Sequence, residues 1–134
     1  MKRQSSDCMI NNIRLIIMNI KEAIQNAISI ENKTGNYKIV YQVFENNKLI
    51  YVGIGGKGKR KGSGRLKEHL SDSVYSSFRQ QYYIEKWILG YNIDEAHEMW
   101  DALFWDISCF NQYSEVKQIE KQIIEDKKPK FNRK

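Results

Sequence analysis

Cysteine, proline and histidine are scarce in this chain. Its 134 residues include two cysteines, one proline and two histidines. Cys8 and Cys109 follow no metal-ligand spacing, so the sequence predicts neither a disulfide framework nor a zinc site, and we expect a reducing compartment. The longest apolar stretch, at residues 15–20, is much shorter than a membrane span, and the polar start at residues 2–7 does not resemble a signal peptide. We therefore expect a cytoplasmic protein.

The composition is that of one globular domain with an excess of positive charge. A length of 134 residues, 41% of them hydrophobic, is typical of a single compact domain with its own core. Lysine and arginine number 22 against 16 aspartates and glutamates, which gives a formal charge of +6. Such a charge favours a polyanionic partner, either nucleic acid or an anionic membrane surface, and does not choose between them.

Two apolar groups in the predicted helices need something to pack against. Isoleucines with three- and four-residue spacing predict an amphipathic helix at residues 10–30, with a stripe from Ile13 to Ile28. This stripe must be buried either in the core of the domain or against another copy of the chain. The second group is aromatic and consists of Tyr82, Tyr83 and Trp87. These rings could stack on unpaired bases, but core packing is the more common role and is our prediction.

The middle of the chain carries a β pattern. Residues 37–44 and 49–52 are rich in aromatic and β-branched side chains, and the short polar segment between them predicts a hairpin. Residues 53–64 are rich in glycine and basic side chains, which predicts a flexible loop. Ser114 is the predicted cap of the last helix. The other predicted elements are a strand at residues 99–107 and helices at residues 65–71, 75–89 and 114–127.

Several short motifs follow one another between residues 37 and 132. Two of them are tripeptides, Ile-Val-Tyr ending at Tyr41 and Tyr-Val-Gly beginning at Tyr51. After the basic loop come, in order, Arg65 and His69 on one helix face, Glu120 in the last helix, and a Pro-x-x-Asn sequence that ends at Asn132. In this order and spacing, the motifs resemble those of the GIY-YIG nuclease family.

This resemblance implies a fold and a division of the chain. The expected fold class is α/β (α+β), with a small three-stranded antiparallel sheet flanked by helices. The nuclease-like domain would occupy residues 35–134, with a helical insertion at about residues 74–92. Residues 1–34 would form an additional N-terminal helical extension.

The resemblance also implies an active site. Arg65 would grip the scissile phosphate with its planar guanidinium, and Glu120 would bind Mg²⁺, for which Mn²⁺ is a possible substitute. Tyr51 would be the general base, with a pKa lowered by the metal and by Arg65, while His69 would titrate near neutrality and could share or replace that role. Tyr41 would orient water or phosphate.

Helical spacing gives Glu120 a second, independent reading. Val116 and Ile124 lie on the predicted buried arc of the last helix, and Glu120 falls between them. A carboxylate in that position needs either an internal salt bridge or a metal ion, because a buried unpaired carboxylate is costly. We favour the metal ligand.

Basic residues in the glycine-rich loop are the predicted DNA contacts. They would bind backbone phosphates without reading sequence. Ile54 stands where relatives often carry a lysine, so that cation is either absent or supplied by Lys57. The residues that we assign to DNA binding are Lys57, Lys59, Arg60, Lys61 and Asn132.

The function that we predict is a Mg²⁺-dependent DNA endonuclease without a membrane partner. The alternatives are a non-catalytic nucleic-acid-binding protein that retains the scaffold, and an RNA-directed nuclease. A single site cuts one strand at a time, so cutting a duplex needs two protomers or two visits. We therefore predict a homodimer through the N-terminal helix, because two-fold pairing is the commonest way to bury such a stripe. The target sequence and biological role stay open.

Overall fold

The computed structural model describes residues 18–70 and 76–132. The described residues form an α+β arrangement in which helices surround one three-stranded antiparallel sheet, as predicted. No helix among the described residues is long and apolar enough to cross a membrane. The elements are α1 (Ile20–Thr34), β1 (Lys38–Glu45), β2 (Lys48–Gly55), α2 (Gly62–Leu70), α3 (Ser77–Ile88), α4 (Ile93–Asp101), β3 (Phe104–Phe110), α5 (Tyr113–Lys127) and a 3₁₀ turn (Lys130–Asn132).

The sheet has the order β2-β1-β3, so β2 and β3 are its edges. The β1–β2 hairpin turns at Asn46 and Asn47, whose φ angles are 52° and 66°. Asparagine adopts this left-handed conformation more readily than most residues, and such a turn matches the twist of paired strands. The hairpin prediction is therefore confirmed, and β2 continues through Gly55, where the sequence predicted a loop.

Helices cover both faces of the sheet. On one face, Ile39 and Tyr41 of β1 are fully buried and belong to a core cluster with residues of α1, α2, α3 and α4. On the other face, Val40 and Val52 pack against Val116 of α5. This alternation along β1 is what an extended strand with two covered faces requires, because successive side chains point to opposite sides.

Helix α1 is an integral part of this core. It begins with a capping box in which Asn19 and Glu22 each bind the other's backbone N–H. Its stripe of Ile20, Ala23, Ile24 and Ala27 is buried within the chain, against α2 and β3. The prediction of a homodimer seam is therefore wrong for this part of the helix. The predicted residues 10–17 lie outside the described residues.

A buried carboxylate joins α1 to α2. Glu31 is 2% exposed and accepts hydrogen bonds from the Ser63 backbone N (2.9 Å) and from Ser63 Oγ (2.7 Å). Ser63 lies in the first turn of α2, where backbone N–H groups have no partner within the helix and a negative charge is favourable. Glu31 thus fixes the start of the helix that carries Arg65.

Three local predictions are wrong. Residues 99–101 end helix α4 and do not begin a strand, and the Asn92 and Glu95 capping box that starts α4 was readable in the sequence. The last helix begins at Tyr113, so Ser114 is inside it. In the aromatic cluster, Tyr82 is core as predicted, but Trp87 is 77% exposed.

Candidate active site

The centre of the site is Tyr41, which lies on the middle strand opposite Gly53 of β2. A β-carbon built on Gly53 would lie 2.4 Å from Tyr41 Cζ, far inside van der Waals contact. Only glycine leaves room for the phenol ring across the neighbouring strand. The packing of the Tyr41 ring therefore explains why the third residue of the Tyr-Val-Gly tripeptide is glycine.

A buried hydrogen-bonded chain leads away from Tyr41. Its hydroxyl lies 2.7 Å from His69 Nε2, and His69 Nδ1 lies 2.6 Å from Ser76 Oγ. None of the three residues is exposed to solvent. Neither Tyr41 nor His69 can therefore contact substrate in this structure, and the predicted roles of Tyr41 in orienting water and of His69 as a base are not supported.

His69 stays neutral at ordinary pH. Burial lowers its pKa to about 3, and the positive charges of Arg65 and Arg79 act in the same direction. The prediction that His69 titrates near neutrality is wrong. In a neutral ring, one nitrogen donates a hydrogen bond and the other accepts one. The two hydrogen bonds that link Ser76, His69 and Tyr41 therefore run in the same direction in either tautomer.

Tyr51 is the more accessible of the two tyrosines. Its ring is half-buried and stacks on Phe78 with ring centres 4.2 Å apart and an interplanar angle of 4°. Burial raises the pKa of Tyr51, and Arg65 opposes this through its charge and hydrogen bonding. Burial prevails, so the protein groups around Tyr51 raise its pKa, and the lowering that a bound metal ion would add stays a prediction. Burial raises the pKa of Tyr41 as well.

Arg65 lies beside both tyrosines in the first part of α2. One of its guanidinium nitrogens also lies 2.6 Å from Glu68 Oε1, one helical turn away. Burial tends to lower the pKa of Arg65, but Tyr41, Glu68 and Tyr51 outweigh it and raise the pKa. The guanidinium is therefore a fixed positive charge at every working pH.

Glu120 is the acidic member of the site. Its carboxylate is half-buried in α5 and close enough to Tyr41 and Tyr51 for its charge to raise the pKa of each. No group of three or more metal-ligating side chains occurs in the described part of the chain. One carboxylate suits Mg²⁺, which usually keeps several waters and binds through one or two carboxylates. The donor set therefore fits Mg²⁺ and not a zinc site, which needs three or four protein ligands.

A basic cleft of about 700 Å³ adjoins Arg65. Lys38 braces its glycine-rich wall by donating to the carbonyl oxygens of Gly56 (2.7 Å) and Gly58 (2.6 Å). Ile54 and Lys57 both line the cleft, so Lys57 lies on the same wall as Ile54. Lys59 is exposed and is not among the residues that line the cleft. The cationic lining residues are Lys57, Arg60, Lys61, Arg65 and Lys67.

Asn132 lies at the edge of the sheet and is not among the residues that line the cleft. Its Nδ2 donates to the Val52 carbonyl and its Oδ1 accepts from the Val52 N–H, both at 2.8 Å. The amide therefore replaces a neighbouring strand along β2, next to Tyr51. This arrangement does not support the predicted DNA contact and indicates a structural role.

The structure thus brings together Tyr41, Tyr51, Arg65, His69 and Glu120 from four different elements. The sequence did not point to Ser76 or Glu31, because serine and glutamate are common and only the folded chain shows what they bind. The contact between Glu68 and Arg65 could have been predicted from the sequence, since residues three apart on a helix are neighbours.

Comparisons with known proteins add little to this geometry. No protein-family model matches the chain, and no curated protein sequence matches it. Among solved structures, the chain is similar to the GIY-YIG N-terminal endonuclease domain of UvrC from Thermotoga maritima, bound to its catalytic divalent cation, magnesium. The identity is 20% and the TM-score 0.48, over 73% of this chain and 85% of that chain. A likeness this distant carries no argument, so the proposals below depend on the residues of this chain.

Proposed function

We propose that this protein is a divalent-metal-dependent endonuclease that hydrolyses phosphodiester bonds in DNA. One observation carries the proposal: the charges of Arg65 and Glu120 both act on the half-buried phenol of Tyr51. A cation, an anion and a proton-transfer group thus meet next to a cleft lined by basic side chains. Phosphodiester hydrolysis needs these groups, because charge develops on the phosphate while a water is deprotonated.

Each side chain has a role in this proposal. Arg65 binds the scissile phosphate and neutralises the charge that develops on its oxygens. Glu120 holds the metal ion, which when bound supplies positive charge for the phosphate and lowers the pKa of bound water. Tyr51 accepts the proton of the attacking water. Because burial raises the pKa of Tyr51, this role needs the additional positive charge that a cation at Glu120 would provide.

Tyr41 and His69 act as positioning residues in the same proposal. Both are buried, and the Tyr41 ring centre lies 6.2 Å from that of Tyr51. His69 fixes the Tyr41 hydroxyl, and Tyr41 in turn forms the inner wall against which Tyr51 and Arg65 are held. The cleft lysines and Arg60 would bind the phosphate backbone without reading sequence.

Plasmid nicking with a matched pair of variants tests the proposal. Glu120→Gln removes the metal-binding charge while keeping the shape of the side chain, and Glu125→Gln makes the same change at an exposed position of α5. With Mg²⁺, we expect nicking by Glu120→Gln to fall at least about a hundredfold, while Glu125→Gln nicks like the parent. Arg65→Ala and Tyr51→Phe should also lose nicking, with unchanged thermal melting as the control for folding.

The outcome of the same assay separates the alternatives. Undiminished nicking by Glu120→Gln would contradict the active-site assignment. Tight, salt-sensitive DNA binding without nicking in Mg²⁺ or Mn²⁺ would favour a non-catalytic nucleic-acid-binding protein. Faster cleavage of RNA than of DNA of the same sequence would make RNA the substrate.

A further inference from the structure

Helix α3 is apolar on two opposite sides. Phe78 and Tyr82 on its inner side are fully buried in the core. Ile84, Trp87 and Ile88 on its outer side are 56%, 77% and 74% exposed. An apolar helix face is normally covered by another element, and the described residues cover only the inner face of this helix.

The outer side continues into the turn after the helix. The α3 patch, as we call it, is formed by Ile84, Trp87, Ile88, Leu89, Tyr91 and Ile93, all of them exposed. Their exposed area is on the order of 700 Å², which exceeds the few hundred Å² usual on a monomer and approaches the area that one partner contributes to a stable complex.

The patch offers both a projection and a recess. Ile84, Ile88 and Leu89, together with Phe131, line a groove of about 410 Å³. Trp87 follows Ile84 by one helical turn and is the most exposed large apolar side chain in the described part of the chain. A two-fold interface uses the same surface on both copies, so each copy must carry both complementary shapes. The α3 patch meets that requirement.

The charges around the groove also allow two copies to approach. Lys130 Nζ lies 3.1 Å from Glu85 Oε2, and both residues line the groove. The groove therefore carries one charge of each sign, whereas the chain as a whole has a formal charge of +6. Two copies repel each other over most of their surface, but not at this groove, where a two-fold axis would permit Lys130 of each copy to face Glu85 of the other.

We propose that the α3 patch is a homodimer interface, in which Trp87 of each copy occupies the groove of the other. The proposal replaces the seam that the sequence suggested in the N-terminal helix, because the described stripe of α1 is buried within the chain. It does not depend on nuclease activity, so its failure would leave the proposed function untouched.

Tryptophan fluorescence provides a specific probe of this interface. Trp100 and Trp105 are 1% and 0% exposed, so quenching by iodide reports almost entirely on Trp87. Sedimentation equilibrium of the full chain should give a monomer–dimer equilibrium in the range of about 1 to 100 µM. Over the same range, iodide quenching should fall as the protein concentration rises.

Two acidic substitutions then locate the interface. Trp87→Glu and Ile88→Glu each place a charge in the patch, and each should weaken dimerisation at least about tenfold, which corresponds to 1.4 kcal/mol. Gln118→Glu, at an exposed position of α5, makes the same change in net charge and should leave the equilibrium unchanged. The Trp87 and Ile88 side chains are largely exposed. The melting temperature of each patch variant, measured on dilute monomer, should therefore stay close to that of the parent.

Three results would overturn the proposal. The first is a protein that stays monomeric up to about 200 µM, well above the range of weak interfaces. The second is a dimer that both patch variants leave intact, which would place the interface elsewhere. The third is a monomer whose fluorescence resists iodide, which would mean that another segment of the same chain covers Trp87.

Discussion

The Tyr41 hydroxyl and His69 Nε2 lie 2.7 Å apart in a region that solvent does not reach. The partner of each group is therefore fixed by the fold and not by water, and a buried polar group without its partner costs about 1–3 kcal/mol. Gly53 leaves room for the Tyr41 ring, and the hydrogen bonds of His69 to Tyr41 and to Ser76 fix its hydroxyl. The first tyrosine of the motif pair is thus part of the inner framework, and Tyr51 is the more accessible of the two tyrosines.

The pH dependence of stability should report the burial of His69. Its pKa is about 3 in the folded chain and about 6.5 when unfolded. Between these values the unfolded state binds more protons, so the free energy of unfolding should fall by up to about 1.4 kcal/mol per pH unit as the pH decreases. Urea titrations from pH 7 to pH 4 should show a shallower dependence of the unfolding free energy on pH for His69→Gln than for the parent. Equal slopes for parent and His69→Gln would contradict this account.

Gly53→Ala should destabilise the protein and disturb the site together. The added methyl would overlap the Tyr41 ring at 2.4 Å, and overpacking of this kind costs about 1–3 kcal/mol. Gly64→Ala is the control, because its β-carbon meets nothing within 4 Å and it lies inside helix α2, where alanine is favoured by up to about 1 kcal/mol. The melting temperature should fall for Gly53→Ala and rise for Gly64→Ala. A melting temperature that Gly53→Ala leaves unchanged would count against the packing of Gly53 on Tyr41.

Asn132→Ala should weaken the edge of the sheet without changing DNA affinity. The substitution removes both hydrogen bonds to Val52, at an expected cost of about 1–3 kcal/mol. Hydrogen exchange of the Val52 amide should accelerate, while exposed Gln118→Ala should leave it unchanged. If Asn132→Ala kept its stability and lost affinity for DNA, the original assignment of Asn132 to DNA binding would be restored.

Two neighbouring lysines should differ in their contribution to DNA binding. Lys57 lines the cleft beside Arg65, whereas Lys59 does not. Each lost phosphate contact lowers the slope of log affinity against log salt concentration by about 0.9. Lys57→Ala should show that decrease and Lys59→Ala a smaller one, in titrations of a DNA duplex from about 50 to 200 mM salt. Equal decreases would mean that the cleft does not define the path of the DNA.

Local patterns in the sequence were sufficient for the hairpin of the central sheet. The alternation around Tyr41 and the polar turn at Asn46 and Asn47 predict a hairpin, because strand periodicity and turn chemistry act over a few residues. The charge of the basic loop was equally readable. Where a local signal was overlooked, as at the capping box of Asn92 and Glu95, the predicted strand boundary was wrong.

Only the tertiary structure determined which side chains are buried and which segments pack against them. The sequence names Tyr41, Tyr51 and His69 without saying which of them reaches solvent, because exposure depends on what α2 and α3 place over each ring. Their pKa values follow from that burial, and the sequence alone predicted a near-neutral pKa for His69 where burial lowers it. The stripe of α1 is similar: its spacing required a partner, and only the packing against α2 and β3 shows that the partner lies within the same chain. Periodicity determines which residues must be covered, whereas contacts between distant segments determine what covers them.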